Sequence, residues 1–285
     1  MFAQQLTNGM VLGSIYALCA LGFTLIFGVA RVVNFAYGEL LMLGAFVTLS
    51  LMTLLHINFF AALPIGMAVI AALSVLVYVV TVRPVMRGNP LQALLVTTGV
   101  LYVLREVAIF IWGTAPRQME MGVEDALEVG EIIVTYQRLV AIAMMIVLVV
   151  AMYLILYRLR IGKALRAVAQ NRAGAEAIGL DVDRIVCFAF AVSGAMACAA
   201  GALIGALYAT EPGMGGAPLL KSFVIVIFGG LGSVPGAIVG GLLIGLIETF
   251  AGTYISYAFK DVFTFLIMIA VLLFRPAGLF GGRTA

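Results

Sequence analysis

The sequence predicts an all-α protein that crosses a lipid bilayer about eight times, with some of its helices broken or re-entrant. Three observations carry that prediction. Hydrophobic residues make up 64% of the 285-residue chain and charged residues only 10%, against about 25% charged in a soluble domain; mean hydropathy is +1.20. Uncharged runs are long: FFAALPIGMAVIAALSVLVYVV at 59–80 and LVAIAMMIVLVVAMYLILY at 139–157 match the roughly 20 residues that a hydrocarbon core about 30 Å thick demands. The alternation of an outer-membrane strand is absent, so backbone polar groups inside lipid must be satisfied within helices.

In chain order the expected spans are 10–29, 37–55, 59–81, 91–112, 138–157, 185–208, 219–250 and 260–274. The first ten residues contain no Lys or Arg, so the basic start of a cleaved signal peptide is missing and the first span is expected to stay in the protein. Basic residues in short loops face the cytoplasm. The loop at 158–184 holds Arg158, Arg160, Lys163, Arg166, Arg172 and Arg184, and a shorter loop holds Arg83 and Arg87; both are assigned to the cytoplasmic side. The loop at 113–137 has Arg117 against Glu120, Glu124, Asp125, Glu128 and Glu131 and is assigned to the outside. Arg275 and Arg283 put the C-terminus in the cytoplasm and, by counting crossings, the N-terminus outside. That parity requires the long segment at 219–250 to be re-entrant or a double crossing.

Several function classes lack support. Cys19, Cys187 and Cys198 lie in apolar stretches without a CxxC or Cys/His cluster, so they read as small buried hydrophobes. His56, the one histidine, sits at a span end. No hydrolytic triad or histidine-based metal site is signalled, and no GxxxxGK[ST] phosphate loop occurs. No enzyme activity, bound metal, cofactor or nucleic-acid partner is expected of this chain.

Three stretches are candidates for function. The first is RVVNFAYGELLMLGAF at 31–46. Asn34 and Glu39 suit a tight loop and the positive first turn of the next helix. They equally suit a half-helix that begins inside the protein, with free N–H groups along a polar pathway; an acidic residue within a span is a functional candidate. The second is IFGGLGSVPGAIVGG at 227–241. Gly236 and Gly240 fit a close-packing seam, but Gly229, Gly230, Gly232, Ser233 and Pro235 hold too many breakers for a straight helix. Breaks near 35 and near 232 hint at two related halves, an inverted repeat. The third is RLRIGKALRAVAQNRAGAEAIGLDVDR at 158–184. Its stripe of Ala164, Leu165, Val168 and Ala169, and the small pair Ala175 and Gly179, suit either a solvated basic loop at anionic headgroups or a helix docked in a partner's groove.

These three stretches closely resemble the LivH-type permease of bacterial branched-chain amino-acid ABC importers, through YALCALGFTLIFGVARVVNFAYGELLMLGAF, GKALRAVAQNRAGAEAIGLDVDRI and GGLGSVPGAIVGGLLIGLIE. The resemblance covers nearly the whole chain in order. It implies one permease domain over 1–285 in the bacterial inner membrane, paired with a dissimilar LivM-like permease. Two cytoplasmic ATPase subunits, which use ATP and Mg, would drive it, and a periplasmic binding protein would deliver the solute. It also implies a coupling segment, onto which Arg166, Asn171, Arg172, Ala175 and Gly179 fall; position 173 is Ala and 174 is Gly, so the family's glutamate contact is not carried over. The pathway part falls on Asn34, Tyr37, Gly38 and Glu39, with Gly229, Gly230, Gly232 and Ser233 as further pathway candidates.

The expected function is therefore a permease subunit for branched-chain or hydrophobic amino acids. The alternatives are a permease for urea, short amides or aromatic and other carboxylates, and a stand-alone small-solute channel. A channel has no use for the loop at 158–184, and a secondary transporter would carry more intramembrane charge than Glu39, Glu248 and the Arg105–Glu106 pair.

Overall fold

The structure is a computed structural model that describes residues 2–86, 90–122, 126–129, 132–275 and 278–280. Arg87, Glu124, Asp125, Glu131 and Arg283, used above for orientation, lie outside the described residues. Helices dominate: α1 (Phe2–Ala30), α2 (Ala36–Leu55), α3 (Phe59–Val77), α4 (Arg83–Val85), α5 (Pro90–Trp112), α6 (Tyr136–Tyr157), α7 (Arg160–Gln170), α8 (Arg172–Ala177), α9 (Val182–Leu207), α10 (Gly216–Gly229), α11 (Val234–Tyr254) and α12 (Lys260–Phe274). A π turn over Tyr78–Val82 joins α3 to α4. A two-stranded antiparallel ribbon, β1 (Ala126–Val129) and β2 (Ile132–Thr135), lies in the acidic loop. Among the described residues, eight helical segments are long and apolar enough to cross a membrane, in agreement with the predicted fold class.

α1 runs through the centre of the bundle. Ala17, Leu18, Cys19, Ala20 and Leu21 are all buried, and five consecutive buried residues cover every side of a helix. It starts eight residues earlier than the predicted span. Local bonds within the helix, such as Thr7 Oγ1 to the Ala3 carbonyl at 3.0 Å, make its polar first turns compatible with a helix, and Arg138 donates to Asn8. α11 lies antiparallel to α1 along a small-residue seam. A Cβ on Gly13 would sit 2.8 Å from Leu242 Cα, and one on Gly28 would sit 3.3 Å from Gly232 Cα. Such backbone proximity substitutes van der Waals contact for the hydrophobic drive that lipid does not supply. α2 and α3 pack on α9, where Ser74 Oγ donates to the Phe190 carbonyl at 2.7 Å.

Several basic segments meet at one end of the bundle. Arg31 donates to the Ala169 carbonyl on α7 at 3.2 Å, and Arg83 pairs with Asp183 at the start of α9 at 2.8 Å. The amides of Leu279 and Phe280 donate to the Phe228 and Gly229 carbonyls, which brings the tail to the same end.

Two helices begin in the interior. After α1 ends, residues 31–35 climb back beside it without helical structure. Tyr37 then donates its hydroxyl to the Cys19 carbonyl at 2.9 Å, about three turns before α1 ends. α10 starts where Gly215 packs on Gly38; a Cβ on Gly38 would lie 2.7 Å from the Gly215 carbonyl oxygen. α2 runs from this meeting point away from the basic end and α10 runs toward it. With 14 residues, α10 is about 21 Å long, so the non-helical stretch 208–215 completes its crossing.

The broken segment expected at 219–250 resolves into two helices, α10 and α11, joined at the basic end by residues 230–233. This supplies the even crossing number that the charges required. The interior break that answers residues 31–35 is 208–215, not the Gly-rich stretch near 232. The sequence EPGMGG at 211–216 carries the breakers responsible.

Candidate functional site

The first candidate stretch forms a polar seam between α2 and α5. Asn34 is 1% exposed, and its Oδ1 accepts from the Ala36 amide at 3.1 Å while its carbonyl accepts from the Tyr37 amide at 3.2 Å. The Phe35 amide donates to Thr97 Oγ1 on α5 at 3.4 Å. Among the amides at the start of α2, those of Phe35, Ala36 and Tyr37 are therefore bonded within the protein. Glu39, one turn further on, has a side chain 2% exposed and lies 3.7 Å from Arg105 Nε. Tyr37 is fully enclosed and its hydroxyl is committed to α1. Gly38 permits the contact with Gly215. At the far end of the seam Trp112 Nε1 donates to Ser50 Oγ at 2.7 Å and stacks on Phe46.

The second stretch is elsewhere. Gly230 and Gly232 have φ of +103° and +81°, a region open to glycine at little cost. Gly229 and Gly236 press backbone on backbone where α10 meets α11. Ser233 caps α11, its Oγ accepting from the Gly236 amide at 3.1 Å. Gly232 and Ser233 share a cavity of about 350 Å³ with Thr24, Gly28 and Arg166. The turn is therefore placed against the basic α7 and apart from Asn34 and Glu39.

The third stretch folds as two short helices on the basic end. On α7, Leu165 and Val168 are buried and Arg166 stacks over the Tyr157 ring at 4.8 Å. Asn171 caps α8 by accepting from the Gly174 amide at 3.0 Å, and Arg172 pairs with Glu176 at 3.3 Å. Ala175 is 3% exposed and packs inward, so it is a packing residue of the chain rather than part of an outward small-residue face. The outward face holds Glu176, Gly179 and Ile178, the last 74% exposed.

Sequence reasoning missed a fourth feature. Lys221 on α10 and Glu248 on α11 form an ion pair, with side chains 9% and 2% exposed. Lys221 also donates to the Tyr16 hydroxyl at 2.8 Å and pairs with Asp261 at 2.9 Å, and Tyr16 donates to Glu248 at 3.0 Å. All three ammonium donors are used. The network borders a cavity of about 960 Å³ that Glu211, Tyr208 and Lys260 also line. Glu248 alone was visible as an intramembrane acid; its partner is 27 residues away on another helix.

Residues 5–272 match the family described as branched-chain amino acid transport system / permease component. The chain is 33% identical over 295 residues to the high-affinity branched-chain amino acid transport system permease protein LivH of Escherichia coli, covering 98% of this chain and 96% of that one. It is 31% identical over 294 residues, with the same coverage, to the corresponding permease protein BraD of Pseudomonas aeruginosa. Among solved structures it resembles PsaBC from Streptococcus pneumoniae in complex with Fab, with a TM-score of 0.50 at 12% identity over 97% of this chain and 93% of that one; this likeness concerns the fold alone. A match across nearly the whole chain, joined to a helical fold rich in membrane-length helices, makes this protein a member of the permease family of branched-chain amino acid ABC transport systems.

Proposed function

We propose that the chain is one of two dissimilar permeases in an ATP-driven importer of branched-chain or other hydrophobic amino acids. Relatives named as branched-chain amino acid permeases over their full length support the cargo. In this reading the whole chain acts as a single permease domain in the inner membrane of a bacterium, with its basic end in the cytoplasm. Two ATPase subunits dock on that end, and a binding protein delivers solute at the opposite one. The polar seam of Asn34, Gly38 and Glu39 with Arg105 borders the route between the two permeases.

The observation that carries this reading is the α7–α8 unit. It lies outside the crossing helices, is anchored by Leu165, Val168 and Ala175, and presents Ile178 to solvent. An apolar side chain held out on a rigid basic platform suits insertion into a groove of a soluble partner. ATP-driven closure of that partner would then move α7–α8 and, through the bundle, the seam. Arg166 and Arg172 frame the platform, and Gly179, with φ of +83°, ends it.

The test is purification of the chain from its native membrane in mild detergent, with and without Ile178→Glu. Wild type should bring down a second permease and two ATPase subunits, and Ile178→Glu should lose the ATPases while keeping the second permease. Recovery of the chain alone, with solute flux independent of ATP, overturns the importer reading in favour of a channel.

A further inference from the structure

We propose that Glu39 and Arg105 form a recognition pair for a zwitterion, Arg105 receiving the carboxylate of the solute and Glu39 its ammonium group. The proposal rests on the amino-acid importer reading and names the groups that would discriminate within it.

The pair is open. Glu39 Oε1 and Arg105 Nε are 3.7 Å apart, whereas charge-assisted hydrogen bonds close to about 2.7–2.9 Å. Glu39 Oε2 and Arg105 Nε are both buried without a hydrogen-bond partner. A buried charged group normally makes its hydrogen bonds, and Lys221 with Glu248 show in the same bundle what a closed, fully used network looks like. Here an acid and a base face each other and each leaves a bonding position vacant. One molecule fills both positions at once if it carries an ammonium and a carboxylate on the same carbon.

Access is asymmetric in a useful way. The Arg105 side chain is 34% exposed and Glu39 only 2%, so the solute reaches the Arg105 side chain before the carboxylate. Gly213 lies against the guanidinium and has no side chain to cover it. Asn34 Nδ2, near the start of the same helix, is a further buried donor without a partner. Charged groups at membrane depth that face one another and not lipid mark solute routes.

The experiment uses the purified complete importer and three probes: leucine, its deaminated form 4-methylpentanoate and its decarboxylated form 3-methylbutylamine. Apparent affinities are read from ligand-induced shifts in unfolding temperature. Wild type should favour leucine over each single-charge probe by about tenfold or more, the scale of one charged hydrogen bond. Glu39→Gln should abolish the preference over 4-methylpentanoate, and Arg105→Gln the preference over 3-methylbutylamine. A merely structural pair would weaken all three probes alike, and preferences unchanged in both variants overturn the proposal. Leucine uptake by wild-type proteoliposomes is measured in parallel. Uptake without discrimination among the probes sinks the pair and leaves the importer standing; absence of leucine uptake removes the cargo reading and the pair with it.

Discussion

Lys221 and Glu248, on the two helices that meet at the Gly-rich turn, neutralise each other inside the bundle, and Tyr16 from α1 bonds to both. The pair fixes the short α10, which has too little length to be held by lipid alone, to α11 and to the central helix. Removing Glu248 leaves Lys221 only the exposed Asp261 as a counter-charge, and breaking a buried pair typically costs up to about 3–5 kcal/mol. Glu248→Leu is expected to lower the unfolding temperature of the purified protein sharply, because Lys221 keeps only Tyr16 and Asp261. The double variant Lys221→Met with Glu248→Leu should regain much of the loss. A double variant as unstable as the single would show that the network does more than cancel charge.

Two glycines separate close packing from backbone freedom. The position a Cβ would take on Gly201 is occupied by the Leu41 carbonyl, whereas Gly99 on α5 has nothing within 4 Å. Gly201→Ala should destabilise by about 1–3 kcal/mol, the range for overpacking. Gly99→Ala should be neutral or stabilising by up to about 1 kcal/mol, as helix propensity dictates. Thermal unfolding of the two variants side by side checks the contrast, and equal effects would contradict the α2–α9 contact.

Tyr37 and Glu39 are two residues apart and face different partners, the Cys19 carbonyl and Arg105. The Tyr37 hydroxyl is spent on the Cys19 carbonyl, so Tyr37→Phe should cost about 1 kcal/mol of stability and leave leucine uptake within about twofold. A loss of uptake comparable to that of Glu39→Gln would return Tyr37 to the solute route.

Ser233 is expected to act as a helix cap. Its Oγ accepts from the Gly236 amide, and Ser233→Ala should destabilise by about 1 kcal/mol. Ser233→Asp preserves an acceptor and should retain both stability and uptake. Uptake lost in Ser233→Asp with normal stability would instead point to solute contact.

The crossing helices were legible because lipid restricts composition so severely. Runs such as 59–80 have no other solvent to suit them, and the structure differs from the predicted spans mainly at their ends. The interior start of α2 was legible as an alternative, since Asn34 and Glu39 are costly in a span unless covered. Its counterpart at 211–216 was not legible, because Gly229, Gly230 and Gly232 form an equally strong cluster of helix breakers at a turn that lies at the basic end. The burial of Ala175 was not legible for a related reason. Small residues mark close packing, but spacing alone does not say whether the packed partner is the same chain or another.

By itself the sequence determined that this chain is an all-helical membrane protein with broken spans, which end of it is basic, and which family motifs it carries. Those properties follow from local composition and from residues adjacent in the chain. Only the tertiary structure decided that α2 and α10 meet at Gly38 and Gly215, that Glu39 faces Arg105, and that Lys221 closes on Glu248 with Tyr16 beside them. Each of these depends on which helix faces are turned toward one another. That choice is made by the packing of small residues and by the cost of leaving a charge unpaired in lipid, and neither is encoded in any single segment.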